Sequence, residues 1–79
     1  MEREVEAGQK WANYKHPDRL YEIVGVAKHS ENLEDLVIYK ALYAGDFPMG
    51  QIWARPKKMF LEEVEKDGKK MPRFSLIEG

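Results

Sequence analysis

Two groups of side chains in this 79-residue sequence have the chemistry to bind a ligand. The first is the run His29-Ser30-Glu31, an imidazole, a hydroxyl and a carboxylate in a polar turn between two apolar segments. Such a set can bind a ligand or a metal, or relay a proton. The simpler alternative is that Ser30 and Asn32 satisfy backbone groups of the turn, while Glu31 and Glu34 are solvated.

The second group consists of aromatic residues and arginines that recur in the middle and at the end of the chain: Tyr39, Tyr43, Trp53, Arg55 and Arg73-Phe74. Small barrels bind extended peptides or bases on aromatic-lined grooves, and an arginine such as Arg55 can pair with phosphate or carboxylate. The alternative is that Trp53 and Phe74 are core residues. Because Trp53 and Arg55 share a strand face, an inward Trp53 would leave Arg55 needing a partner, for which we expect Glu31 or Glu34.

Catalysis and metal binding have weaker support. A metal site needs three or four ligands, and the chain offers His16, His29 and carboxylates, with no cysteine, HxH or HExxH pattern. His29 and Ser30 are neighbours and point to opposite faces of a strand, and the chain has neither a nucleophile elbow nor a glycine-rich phosphate loop. We therefore expect no metal and no cofactor. A non-enzymatic binding module is preferred to an enzyme that uses His16, His29 and Glu31, and a structural or docking domain is the third hypothesis.

A long β-hairpin from Leu20 to Tyr43 positions these residues. Its two runs are short and rich in β-branched and aromatic residues, which favours strands over helices. Both faces of each run carry apolar residues, as in a strand that is coiled or covered on both sides. Gly25, in the middle of the first run, fits a bend or bulge.

The rest of the chain predicts further short strands. Residues 10–15 read as a short strand, residues 16–19 as a tight loop and residues 51–55 as a third core strand. A one-turn helix is expected near Pro56–Met59. The stretch Phe60–Lys66 is compatible with helix or strand, and the hairpin signal Asp67-Gly68 favours a strand there and a last strand within Met71–Ile77.

Five or six short antiparallel strands with turns at this spacing predict an all-β barrel over residues 10–77. Residues 1–9 are polar and are expected to form a flexible tail. Net charge is −1, which gives no general attraction to nucleic acid. The sequence has no apolar run near the ~20 residues of a membrane helix and no secretory signal. We expect a cytoplasmic monomer that does not bind membranes.

Several separated motifs also resemble the bacterial family of domains of unknown function 1653. They follow one another in the family's order, and the likeness extends over roughly residues 14–77, most of the chain: Val26-Ala27-Lys28-His29-Ser30-Glu31, Glu34, Val37–Tyr43, Trp53-Ala54-Arg55-Pro56, Met59-Phe60 and Pro72-Arg73-Phe74. The segment before the hairpin, which includes His16, is one residue shorter than the family pattern and lacks its glycine. The glycine that follows the second hairpin strand is displaced to Gly45. The resemblance implies a small SH3-like barrel and brings no established activity.

The candidate ligand is a nucleotide, a nucleic acid or an extended peptide. We expect the barrel to gather the imidazole loop and the tryptophan–arginine strand at one rim. The candidate ligand-binding residues are His16, His29, Ser30, Glu31, Tyr39, Trp53, Arg55 and Arg73.

Overall fold

A computed structural model describes residues 5–79, and nearly all of its regular structure is β-strand. The all-β prediction is confirmed: the described chain has seven strands and one helix of a single turn. In chain order the elements are β1 (Lys10–Asn13), β2 (His16–Lys28), β3 (Asp35–Ala41), β4 (Ile52–Pro56), α1 (Lys57–Phe60), β5 (Glu63–Lys66), β6 (Lys69–Pro72) and β7 (Phe74–Glu78). The helix is far too short to span a membrane, and no other helix lies within residues 5–79.

Five of these strands form one antiparallel sheet in the order β4-β3-β2-β1-β7, and β5 pairs with β6 in a separate two-stranded sheet. The predicted hairpin is the β2–β3 pair at the centre of the larger sheet. In this order β4 and β7 are the edge strands. Closure into a barrel and likeness to SH3 domains stay predictions.

A bulge in β2 lies where the sequence predicts one. Ile23 pairs with Tyr39 and Gly25 pairs with Ile38, so Val24 is an extra residue with no opposite number in β3. The extra residue bends the strand and increases its twist, which curves the sheet over its apolar face.

The start of β2 differs from the expectation. Residues 16–19 belong to β2 and do not form a loop, and the turn before the strand lies at residues 14 and 15. The Asn13 side chain explains the early turn, because its Oδ1 accepts a 2.9 Å hydrogen bond from the Lys15 backbone N–H. As a consequence, β2 is longer than predicted and carries Arg19 in extended backbone.

The segment after β4 follows the prediction closely. The helix begins one residue later than expected, at Lys57, and ends at Phe60. Residues 63–66 are a strand, so the strand interpretation of this stretch is confirmed. Asp67 and Gly68 have φ values of 53° and 78°, the left-handed pair that a two-residue hairpin turn requires.

The predicted last strand is in fact two strands in different sheets, which raises the strand number to seven. β6 ends at Pro72, which has no N–H to continue a ladder. At Arg73 the chain passes from the two-stranded sheet to the five-stranded sheet. The Arg73 N–H donates to the Glu62 carbonyl, and the Arg73 carbonyl accepts from the Tyr14 N–H. β7 continues along β1.

Aromatic rings from separate elements form the core. Phe60 from α1 stacks on Phe74 from β7, with ring centroids 4.2 Å apart and planes 10° from parallel. Trp11 from β1 contacts Phe60 edge-on, and Tyr39 from β3 packs against both phenylalanines. Burying these large rings is the main source of stability available to so small a domain.

The tail predicted over residues 1–9 needs correction. Residues 1–4 lie outside the described residues, but Val5 belongs to the core cluster and Gln9 is buried. Gln9 Oε1 accepts from the Trp11 indole N–H at 3.0 Å and from the Glu6 N–H at 2.9 Å. The Gly8 N–H also donates to the Ile23 carbonyl. Residues 5–9 therefore pack against the sheet, because a buried indole N–H needs an acceptor.

We predict that Gln9→Met lowers the free energy of unfolding by about 1–3 kcal/mol, because it removes the acceptor of a buried indole N–H. Urea unfolding followed by tryptophan fluorescence measures the change. Gln51→Met is the control, since that side chain only donates to the neighbouring Ile52 carbonyl at the surface. Equal stability of wild type and Gln9→Met would show that residues 5–9 do not pack as described.

Gly68→Val should cost about 1–3 kcal/mol, because a β-branched residue at φ 78° is strained. Gly25→Ala is the matched control: Gly25 is outside the left-handed region and an added Cβ would meet nothing within 4 Å. We expect Gly25→Ala to stay within about 0.5 kcal/mol of wild type. Thermal unfolding of both variants compares the Asp67-Gly68 turn with the bulge at Gly25, and similar losses would contradict the backbone assignment.

Candidate functional site

A cleft of about 250 Å³ opens at the end of the sheet where β2 begins and β3 leads into the loop before β4. Ligand sites usually measure about 300–1,000 Å³, so this volume suits one ring or one side chain. The cleft is lined by His16, Arg19, Ala41, Tyr43, Asp46, Phe47, Gln51 and Trp53.

Aromatic rings and one guanidinium form much of the lining. Phe47 meets Trp53 edge-on, with centroids 5.0 Å apart and planes at 88°. The Arg19 guanidinium lies over the Tyr43 ring, 5.1 Å from its centroid. Arg19 makes no ion pair with any residue in the described range 5–79. The cleft therefore combines apolar ring surface with a cation that is held in place by a ring.

A pair of tyrosines connects the cleft to the core. The hydroxyls of Tyr21 and Tyr43 share a hydrogen bond of 2.5 Å, and the Tyr21 ring also meets Tyr39 and Phe74 edge-on. Burial raises the pKa of Tyr21, and the hydrogen bond to Tyr43 raises it further. Arg19 acts in the opposite direction, but the net effect keeps the Tyr21 phenol neutral well above its usual range.

Trp53 lines the cleft and is not part of the buried core. It is 36% exposed, whereas Phe74, the other candidate core residue, is 2% exposed. Trp53 pairs with Tyr39 and Arg55 with Val37, so both side chains lie on the sheet face that carries the core. Trp53 is exposed there because β4 is an edge strand.

Arg55 has a different partner from the one expected. Its Nε donates to the Tyr39 hydroxyl at 3.3 Å, and its guanidinium lies 5.7 Å from the centroid of the Phe74 ring. It makes no ion pair with Glu31 or Glu34. Glu34 instead pairs with Lys58 at 3.6 Å. A ring and a phenol oxygen can hold a guanidinium that stays partly hydrated, so no carboxylate is required.

The His29 loop is organised by local hydrogen bonds. The His29 Nδ1 accepts from the Glu31 N–H at 3.1 Å, and Asn32 Oδ1 accepts from the Glu34 N–H at 2.9 Å. The His29 backbone closes the turn, since its N–H donates to Glu34 and its carbonyl accepts from Leu33. Ser30 and Glu31 are exposed. These bonds favour the simpler interpretation of this motif as a turn.

The expected meeting of the His29 loop and the tryptophan–arginine strand at one rim is wrong for Trp53, whereas Arg55 pairs with Val37, nearer the end of β3 that follows the loop. The loop follows Lys28 at one end of the β2–β3 hairpin, while His16 and Trp53 line the cleft at the other end. His16 is the first residue of the 13-residue strand β2, and His29 follows its last residue. Two imidazoles at opposite ends of a strand cannot act on one ligand atom.

Arg73, the remaining candidate, lies apart from the cleft. Its Nη2 is paired with the Glu62 carboxylate, and its Nε is buried without a partner among the described residues. This ion pair links Glu62, which lies between α1 and β5, to Arg73, which lies between β6 and β7. Within residues 5–79 no group of three His, Asp or Glu side chains is placed to hold a metal ion.

Comparison with known proteins agrees with this fold. A family model described as "Protein of unknown function (DUF1653)" matches residues 9–76, most of the chain. The chain belongs to the DUF1653 family. The crystal structure of a DUF1653 protein from Bordetella bronchiseptica is similar, with a TM-score of 0.77 and 26% identity over 95% of this chain and 90% of that chain. No curated protein sequence matches the chain.

The cleft of this DUF1653 domain contains residues that sequence reasoning missed. Arg19 and Phe47 line it, yet neither was a candidate. The sequence could have indicated Arg19, because Arg19, Tyr21 and Ile23 alternate along β2 and therefore lie on the same face of the strand. Phe47 lies in a loop, where no periodicity predicts its direction.

We predict that the DUF1653 domain loses stability as pH rises above about 10, where unfolded tyrosine ionises. The raised pKa of Tyr21 means that the folded state retains a proton that the unfolded state releases, so the contribution is complete below that pH and is lost above it. Denaturant unfolding at pH 8 and at about pH 10.5 measures the loss. It should be smaller in Tyr21→Phe than in wild type or Tyr14→Phe, and an identical loss in all three proteins would contradict the assignment.

Proposed function

We propose that this DUF1653 domain is a non-enzymatic binding module whose ligand inserts one flat or apolar group into the cleft beside an anionic group. The observation that carries the proposal is the position of Arg19, fixed over Tyr43 at the cleft without an ion pair among the described residues. A guanidinium held in this way loses little freedom when it pairs with phosphate or carboxylate.

The rings give the ligand its second contact. Phe47 and Trp53 are 53% and 36% exposed, although each contacts the other. Exposed rings that line a concavity are unusual in a domain that otherwise buries its aromatics, and such surfaces mark binding sites. A base or an apolar side chain placed there would gain about 1–3 kcal/mol from ring contact.

The chemistry in the cleft favours binding over catalysis. His16 makes no side-chain hydrogen bond within residues 5–79, so no described group orients its imidazole as a catalytic base. Asp46 lies in the same cleft and is exposed. His16 and Asp46 are suited to hydrogen-bonding a ligand.

Two-dimensional NMR titration tests this proposal, with adenosine monophosphate and N-acetyl-leucinamide as probes of the two contacts. We expect shifts at Arg19, Tyr43 and the Trp53 indole, and about tenfold weaker binding in Trp53→Ala. Ile77→Ala is the control, because Ile77 is an exposed apolar residue on the opposite edge strand. Shifts that cluster in the His29 loop, or no shift with either probe, would refute the proposal.

A further inference from the structure

Strand β4 is an open edge of the main sheet. In the order β4-β3-β2-β1-β7 it has a neighbour on one side only. Among the described elements only β3 and α1 contact it extensively. Ile52, Trp53 and Ala54 are all exposed, with Ile52 at 50%. An exposed apolar edge strand is a template for another extended chain.

The register of β3 and β4 identifies the backbone groups that face this edge. The Ala41 N–H donates to the Gln51 carbonyl, and Tyr39 pairs with Trp53. Antiparallel pairing alternates, so the backbone groups of Trp53 point towards β3 while those of Ile52 and Ala54 point outwards. The Gln51 side chain donates to the Ile52 carbonyl at 3.2 Å, as expected for an outward carbonyl.

Pro56 also fits this alternation. It occupies the next outward position, where an N–H is not needed for the β3–β4 ladder. The part of the edge that can pair with another strand is therefore short. It consists of the backbone N–H and carbonyl of Ile52 and of Ala54. An added strand of about five residues would cover it.

The side chains on the inner face define what such a strand must carry. Trp53 and Arg55 are two residues apart on that face, so an added strand places residues with the same spacing beside them. Trp53 forms one wall of the cleft and accepts an apolar group. Arg55 is bound through Nε to Tyr39, which leaves both terminal nitrogens as a fork for a carboxylate.

The charge around β4 favours an acidic partner. Arg55 and Lys57 make no ion pair within residues 5–79, whereas Lys28, Lys40 and Arg73 each have a carboxylate partner. The other edge, β7, carries Glu78, which is already paired with Lys10. The two open edges therefore differ: within residues 5–79, β4 contains Arg55, a cation without a carboxylate partner, and is followed by Lys57 of α1, whereas β7 contains no cation.

We propose that β4 captures an extended acidic segment of a partner protein, which adds to the main sheet as a sixth strand. A carboxylate of the segment pairs with Arg55, and an apolar side chain two residues away contacts Trp53 at the mouth of the cleft. The inference deepens the proposed function, because it shares Trp53 and the cleft with it.

Nucleic acid and a second copy of this chain fit the same edge less well. A nucleic acid has no peptide backbone, so it cannot continue the hydrogen-bond ladder at Ile52 and Ala54. A second β4, with the sequence Ile52-Trp53-Ala54-Arg55-Pro56, supplies no carboxylate for Arg55. An acidic peptide satisfies both the backbone and the guanidinium.

The test uses the seven-residue peptide Ser-Asp-Ser-Leu-Ser-Asp-Ser. Its sequence is symmetric about the leucine, so an aspartate lies two positions from the leucine in either strand direction. Binding is followed by the backbone amides of Ile52 and Ala54 and by the Arg55 Nε–Hε resonance. We expect the shifts to concentrate on β4. Replacing both aspartates by asparagine should weaken binding about tenfold, because the charge-assisted pair is lost.

Methylated probes test the strand itself. In an antiparallel added strand the nitrogens of the serines next to the leucine face β4 and those of leucine and aspartate face away, whereas a parallel strand reverses this. Methylating one of the two sets of nitrogens should therefore abolish binding, and methylating the other set should leave it nearly unchanged. Equal effects of the two probes would overturn strand addition.

Protein variants test the guanidinium. Arg55→Gln should weaken the probe about tenfold and Arg55→Lys by less, while Lys70→Gln, the same loss of charge on β6, should have no effect. Thermal melting confirms that each variant is folded. Equal binding by wild type and Arg55→Gln would overturn the inference.

Other outcomes separate the inference from the proposed function. If the peptide fails while N-acetyl-leucinamide or adenosine monophosphate still shifts the cleft residues, the acidic strand is wrong and the cleft proposal stands. If no probe shifts the cleft, both are wrong. Tighter binding of a short oligothymidylate at β4, or a β4-dependent dimer in sedimentation, would also overturn the acidic strand.

Discussion

The stack of Phe60 on Phe74 joins the short helix and the last strand across the apolar face of the sheet. Both rings are almost fully buried, and Trp11 and Tyr39 pack on them from two other strands. A chain of this length buries little surface and has no disulfide, so a few large rings must supply much of its stability. The positions of α1 and β7 on the sheet depend on this contact.

The candidate site is the exposed continuation of the same cluster. Rings follow one another from Phe74 through Tyr21 to Tyr43, and Arg19 lies over the last of them. Arg55 takes its position from Phe74 and the Tyr39 hydroxyl in the same way. Arg55 is thus held by buried rings and Arg19 by the half-buried ring of Tyr43, and neither guanidinium has a carboxylate partner within residues 5–79. The core and the proposed binding site share one set of rings, so a core substitution that shifts these rings also moves the two cations.

The sequence predicted features that depend on adjacent residues and missed those that depend on distant ones. The Asp67-Gly68 turn, the helix after Pro56 and the bulge at Gly25 each follow from local backbone preferences. The change of sheet at Arg73 depends on contacts with Glu62 and Tyr14, which no local pattern contains. The exposure of Trp53 depends on β4 being an edge. The separation of the His29 loop from the cleft could have been predicted from the sequence, because the turn of a hairpin and the free ends of its two strands lie at opposite ends of the hairpin.

The shortness of the β4 edge limits how any strand could bind there. Ile52 and Ala54 offer four outward backbone groups, and each hydrogen bond contributes about 0.5–1.5 kcal/mol net. Their sum, about 2–6 kcal/mol, reaches only the low end of the cost of association, which is about 4–15 kcal/mol or more. Backbone pairing alone therefore leaves little net affinity, and Pro56 prevents the ladder from extending further. In the proposed complex most of the affinity comes from the contacts at Arg55 and Trp53, so we expect a polar or uncharged strand to bind weakly although its backbone fits. The short edge also disfavours unspecific pairing, because a strand that lacks a carboxylate for Arg55 and an apolar side chain for Trp53 gains too little binding free energy to remain bound.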